Sequence, residues 1–361
     1  MPTKSPNCRF FRGLLTAAIL LGSGASKAQE YFESYGLSPL SPAIDVGVQP
    51  LGIPSGVISS VLARDRVLKK ALVQQGLPLK THPFRRGADM VTLLSQKRLE
   101  AGLLGDMPTL LAAASGSIWV TALVKQTSTA IVAKGVTQVR GLAGKRIGYT
   151  ELSSAHHTLL QGLASAGLKD SQVKLVALRV DEMPEALERG EIDAFAAWEP
   201  APSVALERND ANRIVFRGLS ADYFVVERDF ARRKPEAALI LMAGYLRAIE
   251  WMQRSSRNVE RAAAWALADG QVFAGKPPAV SALQAAVITR REILDIPSAP
   301  AIPMSAENFP LKAEFRFLEK LGKLPNGAQW ETVEAAFNYD GLARVLGDPR
   351  KFQTTVFDYE D

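Results

Sequence analysis

Between Ala43 and Ala197, apolar stretches of four to six residues alternate with longer stretches whose apolar positions recur every three or four residues. That rhythm leaves few folds open, because parallel strands need crossover connections and the crossing helices cover both faces of the sheet. Ile44, Val46 and Val48 alternate as in a strand and run into the Pro/Gly-rich loop 49–56. A helix is expected over 57–75, with Val57, Val61, Leu62, Leu68 and Leu72 at helical spacing and Gly76 as its stop. An extended piece at 79–84, a turn at 85–87 and a helix over 88–98 follow. Then come a strand at 101–104, the loop Gly105-Asp106-Met107-Pro108, an alanine-rich helix at 109–114 and a strand at 119–124.

The pattern then restarts. Strands are expected at 128–133 and 146–149, a helix over 153–166 before Gly167, a strand at 173–178, a helix over 183–189 stopped by Gly190, and a strand at 192–197. Two series of similar size joined by extended segments read as two lobes instead of one long sheet. The second joining segment is 223–227, and beyond it the pattern is helical, over 235–253, 259–269, 280–294, 313–320 and around Leu342, with 297–310 a Pro-rich loop.

The first 28 residues stand outside this rhythm. Lys4, Arg9 and Arg12 precede the apolar run 13–21, and Ser26 and Ala28 put small side chains where a signal peptidase needs them. The run is shorter than the ~20 residues that span a bilayer, so residues 1–28 are expected to be a cleaved export signal. Nothing after residue 28 is long and apolar enough to cross a membrane as a helix. The one cysteine, Cys8, lies in the signal, which leaves the mature chain no thiol for a disulfide, a zinc–thiolate site or a nucleophile. Loss of Lys4, Arg9, Arg12 and Lys27 lowers the 43 basic residues to 39 against 37 acidic, a net charge of +2. No nucleic-acid partner is expected from that balance.

Ligands of open α/β sheets sit beyond the carboxyl ends of the strands, where loops and helix N-termini present N–H groups. Four segments have that form: 49–56, 105–109, 151–156 and 198–200. Ser153-Ser154 can cap a helix and aim backbone N–H groups at an oxyanion, or can simply cap. Asp106 is open to the same two readings. Trp198 beside Glu199 and Pro200 offers a flat apolar wall next to a charged acceptor, which suits a small zwitterion, a cation, or an alkyl chain with a polar head. His156 and His157 point about 100° apart on a helix and make a poor chelate, so no metal is expected, and His156 lining a pocket is the better functional reading. A nucleophile elbow, a P-loop and a dinucleotide fingerprint are absent, and neither a catalytic residue nor a cofactor is expected.

Taken in order, several of these motifs carry a family resemblance. They are 94–116 with its Gly-Asp-x-Pro and alanine-rich helix, Gly141-Leu142-Ala143-Gly144-Lys145-Arg146-Ile147-Gly148, and Ala186-Leu187 before Gly190 and Asp193-Ala194. To these are added Trp198-Glu199-Pro200, and Tyr223-Phe224-Val225-Val226 before Asp229-Phe230. The chain resembles, over nearly all of 43–330, the periplasmic solute-binding proteins of ABC importers for aliphatic sulfonates, taurine and nitrate, with their thiamine-precursor-binding relatives. The resemblance implies an α/β, type II periplasmic binding fold: two doubly wound lobes joined by two crossover segments, near 128–133 and 221–227, with a helical C-terminal extension. The lobes are expected at 29–130 with 228–361, and at 131–227.

Implied ligand-binding residues are Gln49, Asp106, Pro108 and Thr109 from one lobe, Ser153, Ser154, His156, Trp198 and Glu199 from the other, and Ser128 at the first crossing. Implied partners are a small-molecule ligand and an ABC transporter permease with its ATPase subunit, for a periplasmic monomer. The loop 49–56 is longer than expected for sulfonate binders, and Arg85-Arg86 replaces small residues before Gly87. Nitrate, bicarbonate and a thiamine pyrimidine precursor therefore stay open as ligands, as do a sensor role and an enzyme that uses His156.

Overall fold

A computed structural model describes residues 31–294, 296, 300–301 and 310–361. The expected signal, 1–28, and nearly all of the Pro-rich loop lie outside the described residues. The chain divides into units at 1–36 and 37–361. In the first, Tyr31 packs edge-on against Phe32, their ring centroids 5.2 Å apart. All that follows concerns the second.

Strand β1 (Ile44–Val48) is buried along its whole length, as a strand with helices over both faces must be. It lies between β2 (Leu79–Pro83) and β3 (Ala101–Gly105), parallel to both. The helix expected over 57–75 is two, α1 (Ser55–Arg64) and α2 (Arg66–Gln74). Asp65 breaks the run: its backbone is extended and its carboxylate caps α2 by accepting from the Leu68 N–H at 2.9 Å. A capping aspartate placed inside an apolar period is hidden from a reading of periodicity alone. Helix α3 (Gly87–Ser95) and helix α4 (Asp106–Ala114) complete this part.

The segments read as strands 119–124 and 128–133 are one strand of 17 residues, β4 (Ile118–Lys134). The joining segment 223–227 is likewise the end of a 16-residue strand, numbered β8 (Asn212–Glu227) once β5 (Arg146–Tyr149), β6 (Lys174–Ala177) and β7 (Ala194–Ala197) are counted. β4 and β8 pair antiparallel from Ile118↔Glu227 to Lys134↔Asn212. β3 pairs with the second half of β8, and β7 with the second half of β4. The strands thus form one eight-stranded sheet, β2-β1-β3-β8-β4-β7-β5-β6. Two parallel triplets, one for each expected lobe, are welded through a central antiparallel pair, and the two crossings are longer strands than the sequence pattern suggests.

Helices cover both faces. On the β5–β7 side, α5 (Ser154–Ser165) packs with Ile131 and Ile147, while α6 (Met183–Glu188) and α7 (Ala201–Arg208) pack with Val132 and Phe195. On the β1–β3 side the core takes in α9 (Pro235–Arg254), α10 (Ser256–Ala274) and α11 (Ala282–Leu294), after the short α8 (Arg228–Arg233). Helices α12 (Pro310–Lys320), α13 (Trp330–Glu334) and α14 (Asp340–Gly347) follow.

Two buried charges pin this core. Arg247, on α9, is 1% exposed; its Nε donates to Asp65 at 2.7 Å, and its Nη1 to the carbonyls of Phe352 and Gln353 at 3.2 and 2.8 Å. Glu100 precedes β3 and holds three strands together. Its carboxylate accepts from the Asp45 N–H at 2.8 Å, its own N–H donates to the Asp45 carbonyl at 2.9 Å, and its carbonyl accepts from Glu227 N–H at 2.7 Å.

Candidate functional site

Where β4 and β8 cross the middle of the sheet, their apolar runs are interrupted by polar residues. A β-bulge falls between Leu123 and Lys125, and bulges commonly turn a side chain toward a site. The next rung sets Lys125 opposite Asp222, both buried, with Nζ 3.8 Å from Oδ1. The Ser55 hydroxyl, at the start of α1, donates to the other Asp222 oxygen.

These three groups line a cavity of about 30 Å³, little more than the space of one water. Of the residues expected at a site, Gln49, Pro108, Ser153, Ser154 and Trp198 also line it. Gln49 is oriented by donating its amide to the Leu103 carbonyl at 3.2 Å. Ser153 caps α5, accepting from the His156 N–H at 3.2 Å while its hydroxyl donates to the Thr150 carbonyl at 2.6 Å. Trp198 forms the wall facing Gly52, where an added Cβ would come within 3.3 Å of the indole nitrogen. The Ile53 N–H donates to the Glu199 carbonyl at 3.1 Å, so the loop after β1 and the loop after β7 close over the cavity together.

The other expected residues stand around the cavity without lining it. Thr109 donates to the Leu104 carbonyl at 3.4 Å. The side chain of Ser128 bonds Arg217, at 3.3 Å. Glu199 spends its carboxylate on the Ser203 N–H at 3.3 Å, inside α7, and on Arg291 at 3.4 Å. The ring of His156 accepts the Leu152 N–H at 3.3 Å and packs 4.8 Å from Tyr149; burial brings it down to about 4, so the imidazole is neutral at physiological pH. Asp106 is pushed up to about 6 by burial, against the pull of bonds from Ser154 and the Met107 N–H.

Reading strand ends and loops passes over Lys125 and Asp222, and takes in Ser55 only as part of the loop 49–56. The signal for Lys125 was a cation set directly after the apolar run 118–124, at the start of a polar stretch that gives way to a second apolar run at 130–133. A second, mostly apolar cavity of about 330 Å³ shares Ile53 with the first and is lined by Val57, Pro184, Val204 and Leu267 together with the charged Asp181, Glu185, Arg208 and Lys276.

Gly105 immediately precedes α4, and a Cβ there would collide with the Ser154 hydroxyl oxygen of α5. Gly105→Ala is expected to keep the fold, because a hydroxyl can rotate away. A ligand held by the Ser154 hydroxyl should then bind about tenfold more weakly. Isothermal titration alongside a melting curve checks both halves; an unchanged affinity would show that Ser154 does not touch ligand.

The sequence model of the NMT1-like family matches residues 26–268. The taurine-binding periplasmic protein of Escherichia coli (strain K12) is 31% identical over 173 residues, 45% of this chain and 54% of that protein. The chain spans about half the length of the first curated relatives it matches. The alkanesulfonate-binding protein SsuA from Xanthomonas axonopodis pv. citri, bound to MOPS, superposes with a TM-score of 0.63 at 21% identity, over 82% of this chain and 98% of that one. The periplasmic nitrate-binding protein NrtA from Synechocystis PCC 6803 does so with a TM-score of 0.62 at 13% identity, over 87% and 91%. The fold is therefore the expected type II periplasmic binding architecture. Among the described residues no helix is long and apolar enough to cross a membrane.

Proposed function

Because the chain belongs to the NMT1-like family, we propose that it is the periplasmic binding component of an ABC importer, capturing a small organic anion such as an aliphatic sulfonate or taurine. The observation that carries this reading is one buried ammonium, Lys125, in a cavity walled by hydroxyls and an indole. A sulfonate oxygen takes the Lys125 charge and the Ser154 hydroxyl, which turns to it from Asp106, while the Ser153 hydroxyl stays on the Thr150 carbonyl. Asp222 is a partner for the amine of an aminosulfonate. An aliphatic chain packs on Trp198 and runs past Ile53 toward the apolar cavity. The lobes, 131–227 against 29–130 with 228–361, part to admit the ligand, since about 30 Å³ does not hold it. A permease with its ATPase subunit then reads the closed form. The protein does no chemistry of its own in this reading: His156 is neutral, buried and engaged by Leu152.

Titration calorimetry with taurine, ethanesulfonate, pentanesulfonate and nitrate tests this reading. Sulfonates are expected to bind, with taurine ahead of ethanesulfonate by a margin that Asp222→Asn removes. Nitrate binding with no sulfonate response would overturn the ligand class. Trp198→Ala is expected to weaken binding by about 1–3 kcal/mol, the worth of a buried aromatic wall. An affinity equal to wild type would put the indole outside the pocket.

A further inference from the structure

A third cavity, of about 200 Å³, shares only Ser220 with the ligand cavity among the residues that line it. Three helices bring a potential ligating group to it. Asp106 opens α4, His157 stands in the first turn of α5, and Glu314 lies on α12. Their ligating atoms all fall within 4.8 Å of one another. His157 Nδ1 and Glu314 Oε1 are 3.3 Å apart, about the edge of a tetrahedron built on metal–ligand bonds of about 2.0–2.1 Å.

The hydrogen-bond inventory is the second observation. His157 is 2% exposed, and neither ring nitrogen has a hydrogen-bond partner. Glu314 is 5% exposed and its Oε1 has none either, nor has Ser220 Oγ. Buried polar atoms are seldom left this way, and four of them on one cavity mark a space built for an occupant.

We infer that Asp106, His157 and Glu314 bind one divalent transition-metal ion, with zinc the best match. An imidazole with two carboxylates suits zinc, whereas calcium and magnesium take shells of oxygen alone. The fourth coordination position opens on the cavity, beside Gln126 and Gln161, and takes water or a small anion. The bound ion ties the first turns of α4 and α5 to α12. Nothing in this site depends on the ligand proposed above.

The test uses the purified full chain, stripped with EDTA, desalted and titrated with zinc sulfate alone. One zinc per chain is expected by calorimetry and elemental analysis, with a raised Tm. Cobalt in its place should give the visible bands of a tetrahedral site. Both readouts should be lost in His157→Ala, zinc affinity should fall at least tenfold in Glu314→Gln, and His156→Ala should bind as wild type. Substoichiometric zinc on folded protein overturns the site and leaves its polar atoms to water. So does His157→Ala binding as wild type, which would put the metal elsewhere, as at His82 and Asp45. Should His157→Ala fail to fold, Glu314→Gln decides by the same measure.

Discussion

Replacing Arg247 with leucine is expected to cost about 3–5 kcal/mol of folding free energy, the range for breaking one side of a buried ion pair. The loss comes from what stays behind. Asp65, 0% exposed, keeps a carboxylate with no counter-charge in a place water does not reach. The carbonyls of Phe352 and Gln353 lose their donor in the same step. Replacing both charges, as Asp65→Leu with Arg247→Leu, should recover most of the loss, since a paired buried charge contributes little over apolar packing. It should not recover all of it, because Asp65 also caps α2, a role worth about 1 kcal/mol. Urea denaturation of the two single variants and the double variant closes the cycle. A cost under ~1 kcal/mol for Arg247→Leu would mean that the tail and α9 hold without the pair.

Glu100→Gln is expected to stabilise the protein by about 3 kcal/mol at pH 8 and to change little at pH 4. Burial raises the Glu100 carboxyl to about 7 from its ordinary 4.5; the Asp45 N–H pulls it down, and the carboxylates of Asp45 and Glu227 push it up again. A folded value above the unfolded one fixes the sign. The stability is fully present below pH 4.5 and is lost as the pH rises through about 7. At 8% exposure, solvent screening removes little of this effect. Glutamine keeps the oxygen that accepts from Asp45 and has no charge to bury, so its stability should be flat where wild type falls. Chemical denaturation at pH 4, 6 and 8 measures the slope; parallel curves would place the ionised Glu100 in contact with water.

The helices and short parallel strands were legible because their periods are clean: Ile44 to Val48, Ile147 and Ala194 to Ala197 sit in strands as read. The long central pair was not. The polar run from Lys125 looked like a break between two strands, when it belongs to one strand whose Lys125 and Gln126 line cavities instead of core. The polar interruption that hid β4 is the candidate site. Gln49, Pro108, Ser153, Ser154 and Trp198 were found because they follow strand ends, where loops show in a sequence. Asp222 lies in mid-strand, and only the register opposite Lys125 gives it meaning. His157 follows His156 on one helix, but its companion Glu314 comes from a helix far along the chain, which no local spacing reveals.

The β4–β8 ladder, which runs the length of both strands despite its bulges, also decides how the molecule can move. Halves welded by a continuous ribbon cannot slide or come apart without rupturing backbone bonds, so their cheapest relative motion is a bend of the ribbon itself. The rung of Lys125 and Asp222 lies near its midpoint. A ligand held there rests at the fulcrum of a lever, where displacement is least and torque is set. In the proposed binding role, helices at the far ends would travel the longest arcs, so a small adjustment around a ligand at the fulcrum would become a change of surface at the rim.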